Sequence, residues 1–320
     1  MNPKNHYSAI ACAAGLFVSS LVLMGCGEGL SPNASEAPIV YVSIPPQGHF
    51  AERLVEDKAE VRVLLPPGMA PEYYEPRPSE LEALSNASLY VRTQAPFENN
   101  NWDRIRALNP GMKVVDGTEG VEKRRFEPRE AVEHDHDHGH SHGHDHNHSH
   151  DHDHSHGAGE PDPHTWLAPG NMITQVRVMG EAMREVDPDN AEFYTEREEA
   201  LVEELEELDE ELASILEPVQ GETFWVYHPA WGYFADAYNL KQQAIEHEGK
   251  DPGVQSLRNL VREGQEQAVE VIFVEKQFDS RAAEVVAREI GARVEVLDPV
   301  AGDYFENLRA AARAIAEALS

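Results

Sequence analysis

The chain has 320 residues, with 26 Lys and Arg against 58 Asp and Glu, for a formal net charge of −32. So acidic a surface excludes the phosphate-neutralising mode of nucleic-acid binding and disfavours docking on anionic lipid. Hydrophobic residues make up 41% of the chain, enough for folded cores, and the length suits two domains once targeting and low-complexity segments are set aside.

The first 25 residues read as an address. Lys4 and His6 precede an apolar run over 10–24 that ends in Leu23-Met24-Gly25-Cys26. A weakly basic start, a short apolar core and a small residue before the cut make a secretory signal over 1–25. Gly15, Ser19 and Ser20 interrupt the run, which is too short for a comfortable membrane span. Leu-x-Gly-Cys resembles a bacterial lipobox, which implies lipidation of Cys26 and a lipid anchor in the membrane. The other cysteine, Cys12, lies inside the signal, so a mature chain starting at Cys26 cannot form an internal disulfide. Residues 26–37 are small and polar and read as a tether.

From Pro38 onward β-rich runs alternate with helical stretches. Strands are expected at 39–44, 61–65, 88–92 and 113–116, with helices near 47–57, 78–86 and 101–108. After residue 220 the alternation returns, with strands at 223–227, 243–246, 269–274 and 293–297. Helices near 230–238, 254–266, 279–290 and 303–319 separate them. Such alternation gives an α/β fold with parallel sheets covered by helices. The two blocks are read as an N-terminal lobe over 38–186 and a C-terminal lobe over 219–320.

A helix over 187–218 joins them. Asp187-Pro188-Asp189 is a start signal with proline in the first turn, and Pro218 and Gly221 stop the run. Leu201, Leu205, Leu208, Leu212 and Ile215 recur at spacings of four and three, one apolar stripe. Residues 181–217 carry 16 acidic and 2 basic side chains, so the other face is solvated. A coiled-coil dimer is the alternative, but there are too few heptads; the helix is read as an interdomain backbone in a monomer.

Residues 134–156 read HDHDHGHSHGHDHNHSHDHDHSH, with twelve histidines at alternate positions. They are His134, His136, His138, His140, His142, His144, His146, His148, His150, His152, His154 and His156. No apolar residue interrupts the tract, so the segment 133–160 is expected to be a disordered loop. Neutral imidazole suits zinc, nickel and copper, and neighbouring carboxylates raise its basicity, so the tract is a metal collector.

Elsewhere four positions have the chemistry of one buried metal site. His164 lies in Asp162-Pro163-His164-Thr165-Trp166, His228 in Trp225-Val226-Tyr227-His228-Pro229, Asp298 in Val296-Leu297-Asp298-Pro299, and Glu72 in Pro71-Glu72-Tyr73-Tyr74-Glu75-Pro76. His228 and Asp298 follow expected strands directly and Glu72 follows one after a Pro-Gly turn. In parallel α/β sheets ligands bind at the carboxyl ends of strands, so these side chains can converge in an interlobe crevice.

Over residues 38 to the end, VLLPPG with P-x-Y-Y-E-P, DPHTWLAP, YHPAWGYFA, IFVEKQF and LDPVAGDYFENL resemble the zinc/manganese solute-binding lipoproteins of bacterial ABC transporters, cluster A-I. The His-rich acidic loop ahead of DPH-x-W resembles the zinc-uptake branch. The resemblance implies two Rossmann-like lobes bridged by one long helix, with metal in the crevice and His164, His228 and Asp298 as ligands. One position departs: the family's first ligand is usually histidine where this chain has Glu72. A glutamate there can ligate and gives a harder donor set that tolerates manganese better. Alternatively His49, which also follows a strand, supplies a third imidazole. His247 reads as a loop residue.

The function implied is an extracytoplasmic receptor that captures Zn(II) as transported ligand and delivers it to an ABC permease. Two other classes stay open: a stand-alone metal buffer or adhesin, and a zinc hydrolase with a three-ligand, water-bearing site. The hydrolase is disfavoured because the chain has no HExxH.

Overall fold

The computed structural model describes residues 37–126, 159–246 and 250–320. The expected signal, nearly all of the tether, the histidine tract and His247 lie outside the described residues.

Two four-stranded sheets, parallel throughout, frame the molecule. The first comprises β1 (Ile39–Val42), β2 (Glu60–Val63), β3 (Leu89–Arg92) and β4 (Lys113–Asp116), ordered β2-β1-β3-β4. The second comprises β5 (Thr223–Val226), β6 (Lys241–Ala244), β7 (Val271–Val274) and β8 (Arg293–Val296), ordered β6-β5-β7-β8. Parallel neighbours cannot be joined by hairpins, so helices make the crossovers. They are α1 (Pro45–Val55), α2 (Pro78–Ala83) and α3 (Pro96–Leu108), then α4 (Pro169–Val186) and α5 (Ala191–Leu216). After them come α6 (Gly232–Ala237), α7 (Val254–Glu266), α8 (Arg281–Ile290) and α9 (Tyr304–Ala318). The expected α/β architecture of two lobes and one long helix is thus observed.

The pleat of the second sheet sorts its side chains into two cores. Phe224, Val226, Val271 and Phe273 join the large core that also holds the α5 leucines. Trp225, Tyr227, Ile272 and Val274 join a second core with Leu260 of α7 and Val286 of α8. The large core is continuous: it runs from Val40 and Val42 of β1, through α5, to Leu308 and Ile315 of α9. The lobes therefore share hydrophobic packing.

The long helix mediates this. At 1.5 Å per residue its 26 residues span about 39 Å. Tyr194, Leu201, Leu205, Leu208, Leu212 and Leu216 are its buried face, each leucine contributing roughly 1.5–3 kcal/mol relative to exposure. The stripe ends on Leu216 rather than the expected Ile215, which is only half-buried. Surface ion pairs fix its register: Arg53–Glu204 (2.6 Å) and Arg197–Glu56 (3.2 Å) toward α1, Arg309–Glu211 (2.7 Å) toward α9. Such half-exposed pairs add little energy each.

The structure differs from the sequence expectation most in three places. Helix α4 packs along α5, although its segment, with Gly170, Gly180 and several β-branched residues, carries weak helical propensity. Its buried Met172, Val176, Met179 and Met183 make the tertiary contacts that override propensity. Helices α1 and α3 start earlier than expected, at Pro45 and Pro96, because proline at the first helical position costs no hydrogen bond. Strand β6 spans Lys241–Ala244 instead of 243–246, leaving Glu246 just beyond the strand end.

Leu205→Ala should cost about 2–5 kcal/mol in urea denaturation, because the shared core cannot close over the deleted methyl groups. Glu207→Ala, on the exposed face, should stay within about 0.5 kcal/mol.

Candidate metal centre

Three elements each deliver one donor. After β2 the chain turns through Pro66-Pro67-Gly68, with Gly68 at φ 81°, into a turn closed by Tyr73 N–H donating to Ala70 O (3.2 Å). Tyr74 pins this turn by packing edge-on against Phe97 and donating its hydroxyl to Glu80 (2.8 Å). Glu72, between them, is 4% exposed. His164 stands just before the short 3₁₀ turn Thr165–Leu167 that leads into α4. Neighbouring Trp166 fixes that turn by donating to Pro299 O (2.6 Å) and accepting at its carbonyl from the Tyr304 hydroxyl (2.7 Å). His228 follows β5 by two residues.

The three donors converge. His164 Nε2 lies 3.0 Å from Glu72 Oε1, His228 Nε2 lies 3.7 Å from it, and the two Nε2 atoms are 3.4 Å apart. A zinc tetrahedron with ligand distances of about 2.05 Å has edges of about 3.3 Å. The triangle therefore approximates one face of such a tetrahedron, each edge within about 0.4 Å of it. Ala70, Pro71, Phe278 and Val300 enclose it, Phe278 stacking on the His228 ring at 4.4 Å and 19°.

Behind each imidazole is a carboxylate. Asp162 Oδ1 accepts from His164 Nδ1 (2.8 Å), and Glu246 Oε1 accepts from His228 Nδ1 (2.6 Å). With Nδ1 as donor, both rings are held in the tautomer whose Nε2 lone pair points into the centre. Arg124 in turn pairs with Asp162 (2.8 Å) and with Asp236 (3.0 Å) on the other lobe.

The electrostatics follow from burial and partners. Burial lowers the pKa of His164, but its bonds to Asp162 and Glu72 outweigh burial and the net shift is upward. Burial likewise opposes charge on His228, and Glu246 and Glu72 raise its pKa well above the usual imidazole range. Glu72 shows the complementary shift: burial raises it, the two histidines pull it well below the usual carboxylate range, and the net direction is down. Glu275, buried beside the His228 backbone N–H (3.3 Å to Oε2), is pushed up by desolvation to about 8. The pocket is therefore built for positive charge, and in metal-free protein protons supply it.

Not every expected ligand joins this group. Asp298 is half-buried, with Oδ1 accepting from Gln277 Nε2 (2.8 Å) and from Val300 N–H (3.1 Å). Its neighbours Gln277, Pro299 and Val300 line the enclosure, but its carboxylate is not among the three convergent donors. His49 faces α9 instead, packed against Phe50 (5.1 Å) and Phe305 (5.6 Å), and burial and Arg53 lower its pKa. The orienting carboxylates Asp162, Glu246 and Glu275 escaped the sequence reading. Asp162 had a local signal in Asp-x-His. Glu246 and Glu275 become visible only through the order β6-β5-β7, which sets the ends of both neighbouring strands beside His228.

Comparison with known proteins places the chain in a family. The High-affinity zinc uptake system protein ZnuA of Paracoccus denitrificans (strain Pd 1222) is 35% identical over 320 residues, covering 94% of this chain and 98% of that protein. A crystal structure of ZnuA aligns with a TM-score of 0.76 at 37% identity, over 89% of this chain and 100% of that one. A zinc-bound ZnuA deletion mutant aligns at 0.75 and 37% identity, over 89% of this chain and 99% of that one. The family of zinc-uptake complex component A, periplasmic, matches residues 40–318, and this chain belongs to it.

Proposed function

We propose that this protein is the extracytoplasmic receptor of a zinc uptake transporter, which captures Zn(II) and passes it to an ABC permease. The observation that carries the reading is the buried triangle of Glu72, His164 and His228, close to tetrahedral spacing. The family is that of a transport component and not of an enzyme. Among the described residues no helix is long and apolar enough to cross a membrane. A lipid at Cys26 would then tether a monomer to the membrane, and the histidine tract would raise the local metal concentration.

In this reading His164 and His228 bind through Nε2 and Glu72 through Oε1. Glu72 Oε2, buried and without a hydrogen-bond partner among the described residues, chelates the same ion, and the fourth tetrahedral vertex is left to water. Asp298, engaged by Gln277, acts as a neighbouring anion. Buried charge then balances: Zn(II) is offset by Glu72 and Glu246, while Asp162 is paired with Arg124. Two imidazoles and a chelating carboxylate are harder than three imidazoles, so manganese should be the nearest competitor. Glu72→Gln should weaken zinc by at least about 100-fold in chelator competition, and Asp298→Asn by less than about tenfold. A larger loss for Asp298→Asn would move Asp298 into the coordination shell.

The pH dependence has a definite sign. Zinc must displace protons from two imidazoles whose pKa values are raised, so affinity falls as pH drops, starting above the ordinary value of 6.5. The raised imidazole values also mean that the histidines' contribution to metal-free stability is present below about pH 6.5 and lost as pH rises through the folded values, while that of Glu275 is lost between its ordinary value of 4.5 and about 8. Thermal melts from pH 6 to 9 should therefore show falling stability without zinc and a growing zinc-induced increment. A zinc increment that shrinks with pH would contradict the assignment.

A further inference from the structure

Beside the metal centre lies a larger space whose purpose the three donors do not explain. A cavity of about 520 Å³ is lined by Glu72, Thr93, Gln94, Asn100, Asp116 and Glu160, among others. The enclosure between the three donors, by contrast, has a volume of ≈ 0 Å³ for water. Glu72 alone lines both spaces. A divalent ion with six inner waters needs roughly 200 Å³, at about 30 Å³ per water. The cavity admits the hydrated ion; the centre admits only the bare one.

The lining suits such an ion. Glu160 is anionic, as is Asp116, which also accepts from Gln94 Nε2 (2.8 Å) and the Thr118 hydroxyl (2.7 Å), and Lys123 is the basic residue among the described lining. Asn100 adds a polar side chain at the rim, the amide oxygens of Gln94 and Asn99 face the Arg92 guanidinium (3.5 and 2.8 Å), and the Thr93 hydroxyl has no partner among the described residues. Waters lost from the ion can therefore be replaced by polar groups one at a time. The opposite approach is more apolar. Phe278 covers His228, Tyr73 packs on Phe278 at 5.7 Å, Ala70, Pro71, Pro299 and Val300 line it, and Gln277, bonded to Asp298 (2.8 Å), adds a polar group. An ion entering there would meet fewer polar groups in exchange for its waters.

We propose that this cavity is the vestibule through which the hydrated metal ion reaches and leaves the buried centre, with Glu72 as the transfer residue. Oε2 of Glu72 takes the ion from water at the boundary; the carboxylate then rotates it onto His164 and His228. The inference rests on the metal-receptor reading, and its test separates the two. A residue on the path changes the barrier in both directions, so association and dissociation rates change by one factor and the equilibrium constant stays fixed.

The experiment is stopped-flow fluorescence of the full mature chain mixed with zinc, then with excess EDTA. Trp166, 5.3 Å from His164, reports the buried centre. Asn100→Trp, which fills the vestibule from its rim, should slow both rates by about tenfold or more and leave the dissociation constant within twofold. Tyr73→Ala, on the apolar side, should leave both rates within twofold. Unchanged rates in Asn100→Trp, or faster rates in Tyr73→Ala, would overturn the route while leaving the receptor reading intact. If Asn100→Trp fails to fold, Glu160→Lys carries the test: it should slow association and flatten its salt dependence. An unchanged salt dependence would overturn the proposal. Absence of a tight zinc site in the unaltered chain would instead remove the receptor reading itself.

Discussion

Everything at the centre depends on two imidazoles that are forced to point their lone pairs at the same spot. Water would separate them, protonation would repel them, and a free side chain would rotate away. Asp162 and Glu246 prevent rotation by holding each Nδ1. Phe278 and the proline-rich turn exclude water. Glu72 supplies the negative charge that keeps the pair together when only protons are present. A buried polar cluster of this kind is costly unless a cation completes it, which is a physical reason to regard the arrangement as a binding site and not as a structural hydrogen-bond network.

The fold serves this convergence. Glu72 and His164 come from the first sheet's side and His228 from the second, so the donors must be held at ångström accuracy across two lobes. A flexible hinge would not do that. The continuous core through α5, the Trp166–Pro299 and Tyr304–Trp166 bonds, and the reach of Arg124 to both Asp162 and Asp236 tie the lobes instead. Such a frame supports release by displacement of the donors rather than by wide opening of the lobes.

Much of this was legible in the sequence because the signals were local. Alternating β-rich and helical runs gave the eight strands close to their positions, and the leucine spacing gave the long helix. His228 and Glu72 follow strands of parallel sheets, which point them at the crevice, whereas His164 was marked only by its Asp-Pro-His-x-Trp motif. What was hidden was non-local. Helix α4 lacks propensity and exists by packing on α5. Glu246 was masked by β6, whose polar sequence KQQA carries no apolar alternation, so the strand end was misplaced by two residues. The carboxylates flanking His228 depend on strand order, which spacing along the chain does not contain. Asp298 and His49 illustrate the converse: both follow strands, yet Gln277 holds one and α9 packs the other.

The most direct test is zinc K-edge X-ray absorption on the full mature chain loaded with one equivalent of zinc. The account expects four N/O donors at about 2.0–2.2 Å, no sulfur, and outer-shell scattering from two imidazoles, unchanged when the tract histidines are substituted. Scattering from three or more imidazoles, or a spectrum that follows the tract, would place the first ion elsewhere and contradict the convergence of Glu72, His164 and His228 as the high-affinity site.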